Sequence, residues 1–135
     1  TIWMWRAAIR RPAQKERNRM IKKKEQCDVE HKAHAFGAEG NIHICSLVSG
    51  RGELNEKGRA FAHTSVDVGA GIGYHEHHGE TEWFHILSGE GEFCDNGTWQ
   101  PVRAGDVTVT PDGCGHALRN TGSVPLEFVA LILDS

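Results

Sequence analysis

The sequence predicts an all-β domain of the sandwich or barrel type. Three observations support this: many short stretches of alternating or β-branched residues, turn signals between them, and no interior stretch with the apolar stripe of a helix. Sixteen glycines among 135 residues, with a hydrophobic fraction of 39%, suit a turn-rich β protein better than a helical bundle. A chain of this length can build one domain with a sizeable core.

The first part of the chain differs from the rest in charge. Residues 1–25 contain nine Lys or Arg and two acidic residues (net +7), whereas residues 26–135 contain six and sixteen (net −10). Residues 12–26 are rich in helix formers but lack an apolar stripe, so any helix there would be marginal. We interpret residues 1–25 as a basic N-terminal extension and residues 26–135 as the single domain. Met20, followed by IKKKEQ, has the features of a natural start, which would leave residues 1–19 outside the native protein.

Two strands are predicted before the glycine-rich centre of the sequence. Residues 41–49 (NIHICSLVS) form the first convincing strand, and residues 50–58 form an exposed polar loop. Residues 59–68 alternate well enough for a second strand. Three glycines between residues 69 and 73 then bring the backbone round to the next strand.

The second half of the sequence predicts seven further strands. The Asn96-Gly97 step predicts a tight β-hairpin, because it supplies the positive φ angles that such turns require. The nearly continuous apolar run 126–133 predicts a strand buried on both faces. The strands predicted in this half are 74–77, 82–88, 91–94, 98–102, 106–110, 116–120 and 126–133.

Four residues follow a metal-ligand pattern. His75 and His77 are two positions apart, so on a strand both can point to the same face. Glu82 follows on the next strand after a small polar turn, and His116 is the candidate for a fourth ligand from a distant strand. Three imidazoles and one carboxylate suit a divalent first-row metal such as Fe, Mn, Ni, Co, Cu or Zn. We therefore predict one such ion per chain, with its identity open.

Two stretches of the chain resemble the two motifs of the cupin family. Residues 69–89 fit the pattern G-x5-H-x-H-x4-E-x6-G, and residues 105–120 fit G-x5-P-x-G-x2-H-x3-N, at every fixed position. The spacing between them resembles that of compact single-domain cupins. The resemblance implies a double-stranded β-helix jelly-roll barrel with the metal inside one end. It also implies that His75, His77, Glu82 and His116 are the ligands.

Strand alternation sorts the residues around these ligands. Phe84 and Ile86 share the face of Glu82, and Leu118 shares the face of His116. We therefore expect these three apolar side chains to line a largely apolar cavity with few charges.

Four polar residues near the predicted site have two alternative roles each. Glu80 is either a general base near the metal or an exposed turn carboxylate. His43 and His63 are either substrate contacts inside the barrel or ordinary histidines of a β-sheet. His78 should point away from the site, with a role as substitute ligand as the alternative.

Other features bear on assembly and location. Trp83, His85 and Leu87 should point away from the cavity, and with residues 41–49 they are the candidates for a homodimer contact. Four scattered cysteines without a CxxC pair favour reduced thiols and a cytoplasmic protein. The absence of a long apolar run and of a DNA-reading motif, together with the acidic domain, predicts neither membrane nor nucleic acid as a partner.

The resemblance to cupins implies two kinds of function. The first is a metal-dependent enzyme acting on a small organic molecule inside the barrel, with Glu82 and His116 acting in catalysis as metal ligands. Within it, dioxygenase-type chemistry is favoured over isomerase, lyase or decarboxylase chemistry. The alternative is a non-catalytic module that binds a small molecule or sugar, in which the metal is structural or orients the ligand.

Overall fold

The structure, a computed structural model, describes residues 20–135. Ten strands and three short 3-10 turns make up this part of the chain. The 3-10 turns are Lys24–Gln26, Ala35–Gly37 and Arg51–Leu54. The strands are β1 (Asp28–Ala33), β2 (Asn41–Ser46), β3 (Gly58–Val66), β4 (Gly71–Glu76), β5 (Glu80–Ser88), β6 (Glu90–Asp95), β7 (Thr98–Arg103), β8 (Val107–Thr110), β9 (Gly115–Asn120) and β10 (Leu126–Asp134).

The strands form two antiparallel sheets. The larger sheet has six strands in the order β1-β2-β3-β10-β5-β8, and the smaller has four in the order β4-β9-β6-β7. Neighbours in the sheets are mostly distant in sequence, as in a jelly roll. The predicted all-β jelly-roll fold is confirmed. The predicted boundary near residue 25 stays a prediction, because residues 1–19 lie outside the described part.

Apolar side chains of both sheets form one core between them. The largest fully buried apolar side chains are Phe128, Ile86, Leu118, Leu126 and Val66. Burying a side chain of this size contributes roughly 1.5–3 kcal/mol to folding. Several residues of this core also border the cavity that contains the polar site.

Strand β10 corrects one prediction. Its residues alternate between buried and half-buried along the strand, with Leu126, Phe128, Ala130 and Ile132 on the inner face. The prediction of burial on both faces is wrong, because the apolar residues of the outer face are only half-buried. In the sequence, the apolar residues of the outer face resemble a second core face.

The sequence did not reveal strand β1. All six of its residues are exposed, so it has no apolar alternation to detect. It is a strand because it pairs with β2 along its whole length, from Asp28 opposite Ser46 to Ala33 opposite Asn41.

The predicted hairpin between β6 and β7 is confirmed. Asp95 lies opposite Thr98, so only Asn96 and Gly97 form the turn. Their φ angles are 47° and 113°, as a twisted two-residue turn requires.

Two irregularities in strand pairing change which way side chains point. In β4, the pairing with β9 shifts between Ile72 and His75. In β3, the partners of the consecutive β10 residues Ile132 and Leu133 are Ala60 and Gly58, so Arg59 is left without a partner. An extra residue of this kind bends a strand and re-aims the neighbouring side chains.

The second motif includes an asparagine with a structural role. Asn120 is buried, and its side-chain amide donates to the carbonyl oxygens of Val66 (3.0 Å) and Val124 (2.9 Å). Its Oδ1 accepts a hydrogen bond from the Gly122 N–H at 2.9 Å. Asn120 therefore ties the end of β9 to β3 and to the following turn.

The described residues contain no helix with the length and apolar character that crossing a membrane requires. All four cysteines are free thiols.

Candidate metal centre

Four side chains from three parts of the fold converge at one end of the sandwich. His75 lies on β4 directly opposite His116 on β9. Glu82 reaches them from β5 in the other sheet, and His77 lies just after the end of β4. One ligand atom from each of the four lies within 4.8 Å of the others.

The converging atoms are the three imidazole Nε2 atoms and one carboxylate oxygen. The Nε2 atom of His116 lies 3.1 Å from the Nε2 atoms of both His75 and His77. Oε1 of Glu82 lies 3.0 Å from Nε2 of His77 and 3.1 Å from Nε2 of His116. Three of the four residues are buried, and His75 is half-buried.

The other ring nitrogen of each histidine has its own partner. Nδ1 of His75 lies 2.8 Å from the carbonyl oxygen of Gly73. Nδ1 of His77 lies 2.6 Å from Oε2 of Glu80, and Nδ1 of His116 lies 2.7 Å from Oγ1 of Thr110. Carbonyl and ionised carboxylate oxygens only accept, so His75 and His77 donate from Nδ1. When these rings are neutral, their Nε2 atoms carry lone pairs that face the centre.

This donor set fits a divalent transition metal. Lone pairs and a carboxylate that point at one place repel one another unless a cation lies between them. Imidazole nitrogens with one carboxylate oxygen are a common ligand set for first-row divalent ions. The Nδ1 atom of each ring also has a hydrogen-bond partner, as is usual for metal-binding histidines. The residues that would hold the ion are His75, His77, Glu82 and His116.

Backbone contacts hold His77 although it lies beyond the strand. Its N–H donates to the Cys114 carbonyl at 3.0 Å, and its carbonyl accepts from the Gly113 N–H at 2.7 Å. The next turn is held by Asp112, whose Oδ1 accepts from the Gly79 N–H at 2.7 Å. The second motif thus positions a ligand of the first.

The ionisation of the cluster follows from its contacts. Burial lowers the pKa of His75. The hydrogen bond with Glu82, aided by one with Glu80, raises the pKa of His77 against the effect of burial. Burial alone would raise the pKa of Glu82, but hydrogen bonds from His116 and His77, which Nε2 donates when it carries a proton and no ion is bound, outweigh it and lower the pKa.

Glu80 is not an exposed turn carboxylate. Its side chain is only 13% exposed, and both oxygens accept hydrogen bonds from the Arg59 guanidinium at 2.7 Å. Hydrogen bonds from Arg59, which have the larger effect, and from His77 lower the pKa of Glu80 to about 2. Glu80 is therefore ionised at neutral pH and contacts the candidate metal site through His77.

A cavity of about 380 Å³ opens above the cluster. Its lining includes the apolar side chains of Ile72, Phe84 and Phe128, but also several charged residues. The expectation of few charges is therefore wrong. The charged lining residues other than Glu82 are Lys32, Arg59, Glu76 and Glu80.

The predicted cavity residues lie in three different places. Phe84 lines the cavity, whereas Ile86 and Leu118 are buried in the core beneath it. His43 lies outside the lining and contacts Asp67, with Nε2 and Oδ1 at 2.9 Å. His63 also lies outside it, 3.2 Å from Glu127. His78 is exposed and lies beside Glu76, away from the four converging ligands.

Sequence reasoning missed three residues that contact the candidate ligands or their partners. The ring of Phe36 stacks on His75 with centroids 3.9 Å apart and planes 11° apart. Arg59 holds Glu80, and Thr110 holds the His116 ring. Only Thr110 had a usable signal, since it precedes the Pro of the second motif on an inward-facing strand position.

Comparison with known proteins supports the relationship implied by the motifs. The family model for the cupin domain matches residues 62–132. An oxalate-binding protein of Thermotoga maritima is 37% identical over 119 residues, which cover 88% of this chain and 98% of the relative.

Two solved structures are similar to this chain. The crystal structure of a predicted oxalate decarboxylase from Thermotoga maritima superposes with a TM-score of 0.81 at 36% identity, covering 86% of this chain and 100% of the other. A putative sugar phosphate isomerase from Acidithiobacillus ferrooxidans has a TM-score of 0.63 at 20% identity, covering 97% and 78%, and shows the fold alone. The chain belongs to the cupin family.

Proposed function

We propose that this protein is a metal-dependent cupin that binds a small carboxylate anion of the oxalate class. The observation that carries the proposal is the convergence of three imidazole nitrogens and one carboxylate at the base of a cavity. One divalent ion would be held by His75, His77, Glu82 and His116. When bound, the ion would supply a positive centre that polarises and orients an oxygen ligand.

The charges around the cavity support an anionic ligand. Glu82 would neutralise only half of the charge of a divalent ion. Glu80 adds no net negative charge, because the positive guanidinium of Arg59 pairs with it. The other two charged lining residues, Lys32 and Glu76, have opposite charges. A small dicarboxylate would therefore meet a net positive centre.

The relatives favour the oxalate class in particular. The similarity to the Thermotoga maritima oxalate-binding protein covers 98% of that protein and 88% of this chain. Oxalate is also small enough to leave much of the cavity free, so larger acids of the same class are candidates too.

A metal-dependent enzyme is the second candidate function. The apolar wall formed by Ile72, Phe84 and Phe128 favours it, because it shields one side of the site from water. Dioxygenase-type chemistry remains the first form of this hypothesis, ahead of isomerase, lyase and decarboxylase chemistry. Glu80 is a poor proton donor for any of them at neutral pH, because its pKa is about 2.

Metal analysis and calorimetry test the proposal. Purified protein should contain or take up about one divalent transition ion per chain, and the loaded protein should bind oxalate more tightly than acetate. His77→Ala and His116→Ala should lose both metal and oxalate binding, because each removes a ligand. His85→Ala, on the outer face of β5, should keep both.

Two results would contradict the proposal. One is metal uptake by His77→Ala equal to that of the wild type, and the other is oxalate binding that does not depend on metal. Turnover is measured separately as oxygen uptake or as release of carbon dioxide and formate. Oxygen uptake, or release of carbon dioxide and formate, would support the enzyme hypothesis over binding without turnover.

We also infer a homodimer in the cytoplasm. The outer face of the six-stranded sheet exposes Leu87, Val107 and Val109 by 45–61%, beside the half-buried Trp83. Exposed apolar groups grouped in this way favour a contact between subunits. The four free thiols favour a reducing compartment. A monomer mass in sedimentation experiments at micromolar concentration would exclude the dimer.

A further inference from the structure

One of the three candidate histidine ligands has an outer partner that differs from the others. The rings of His75 and His116 are held by neutral groups, a backbone carbonyl and a hydroxyl. The ring of His77 is held by the Glu80 carboxylate, with Nδ1 and Oε2 2.6 Å apart. His77 is therefore the candidate ligand whose Nδ1 contacts a negatively charged group.

The Glu80 carboxylate is itself held in one orientation. Nε and Nη2 of Arg59 each lie 2.7 Å from a different oxygen of Glu80. Such a bidentate pair orients the carboxylate as well as neutralising it. Because the Glu80 side chain is 13% exposed, solvent competes little for these contacts.

The pairing irregularity in β3 explains why Arg59 can reach the site. Ala60 and Ala62, which are two positions apart on β3, both line the cavity. Strict alternation would therefore turn Arg59, the residue before Ala60, outward. Arg59 has no partner on β10 where the register shifts, and its side chain also lines the cavity. Bulges often re-aim a side chain beside a functional site.

We propose that Arg59 and Glu80 are positioning residues of the metal site, which orient the His77 ring and strengthen Nε2 as a ligand. The inference rests on the proposed function, because it assumes that His77 binds metal. A carboxylate that accepts the Nδ1 proton fixes the tautomer, keeps the lone pair of Nε2 directed at the ion and increases its basicity. Arg59 acts through Glu80, because its hydrogen bonds go to Glu80 and Glu80 in turn contacts His77.

Cobalt titration tests this inference without any substrate. Protein stripped of metal is titrated with Co²⁺, and both the Kd and the visible absorption spectrum of the bound ion are recorded. Glu80→Gln should raise the Kd by about 10- to 100-fold and shift the absorption bands, because the His77 ring loses its anionic partner. Arg59→Gln should raise the Kd less, and Arg59→Lys should restore part of the loss.

Arg119→Gln is a matched control. Arg119 and Arg59 have side chains that are both 50% exposed, and Arg119 also contacts a glutamate, Glu92, through Nε and Nη2 at 3.0 and 2.9 Å. Arg119 lies on β9, three residues after His116, but it is exposed between the buried Leu118 and Asn120, and its ion-pair partner is Glu92. The control should leave the Kd and the spectrum unchanged.

Each outcome decides between the hypotheses. A wild-type protein that binds no Co²⁺ overturns the proposed function and this inference with it. Wild-type binding together with an unchanged Kd and spectrum in Glu80→Gln overturns the inference alone. An equal loss in Arg119→Gln also overturns it, because the effect would then come from general destabilisation. If Glu80→Gln does not fold, the Kd of Arg59→Gln decides in the same way.

Discussion

Gly73 has no room for a side chain. A Cβ atom at this position would lie 1.9 Å from the carbonyl oxygen of Phe36 and 2.7 Å from its carbonyl carbon. The absence of a side chain lets the segment Ala35–Gly37 lie against β4 and stack Phe36 on His75. Phe36 itself has a φ angle of 50°, an uncommon conformation for a large side chain that surrounding contacts must maintain.

Gly73→Ala should therefore displace the segment Ala35–Gly37 and uncover His75. We expect a loss of about 1–3 kcal/mol in the free energy of unfolding, as for other overpacked sites, together with faster release of bound metal. Denaturant unfolding and metal transfer to a chelator measure the two effects. Gly52→Ala is the control, since an added Cβ there meets nothing within 4 Å. Equal losses in both variants would contradict the close-contact argument.

Single site residues could be identified from the sequence where they occupy a motif position or follow regular strand alternation. His75, His77, Glu82 and His116 occupy fixed motif positions, and the structure brings them together. Phe36 could not be found in this way, because it is 65% exposed and its contact with His75 joins two segments that only the tertiary fold brings together. A sequence window contains no signal for such a contact.

At the scale of elements, alternation succeeds in a regular strand and fails at a bulge. Glu82, Phe84 and Ile86 are all buried on the inner face of β5, whose pairing with β10 has no shift between them. In β4, Ile72 and His75 both pair with inward-facing residues of β9, although an odd spacing should place them on opposite faces. The irregularity between them resolves this conflict.

The two irregular strands have the same effect on the site. One brings a ligand histidine to the inner face, and the other brings Arg59 to Glu80. Bulges depend on which residues the neighbouring strand presents, so they could not be predicted before the strand order was known. For the same reason β1 was missed, since its only structural signal is its pairing with β2.

At the scale of the whole molecule, the candidate ligands join the two sheets. Glu82 belongs to the six-stranded sheet, whereas His75 and His116 belong to the four-stranded sheet. A bound ion would therefore connect both layers at one end of the sandwich. The unfolded chain cannot offer the same arrangement of ligands.

We expect metal to raise the thermal stability of the protein. A ligand that binds only the folded state stabilises it by about 2.7 kcal/mol at a free concentration 100 times its Kd. Scanning calorimetry with and without a chelator should show a higher melting temperature for the loaded protein. His116→Ala should melt at the same temperature in both conditions. A wild-type melting temperature that metal leaves unchanged would contradict the view that the ion joins the sheets.

The position of β10 has a consequence for synthesis of the chain. The ribosome makes this strand after the other nine described strands, yet it lies between β3 and β5 and pairs with both. While the ribosome is still making residues 121–134, Glu82 already exists but the sheet that holds it is incomplete. A nascent chain that ends before Leu126 should therefore contain all four candidate ligands and still lack the metal site. Metal capture would then be a late event that reports completion of the fold.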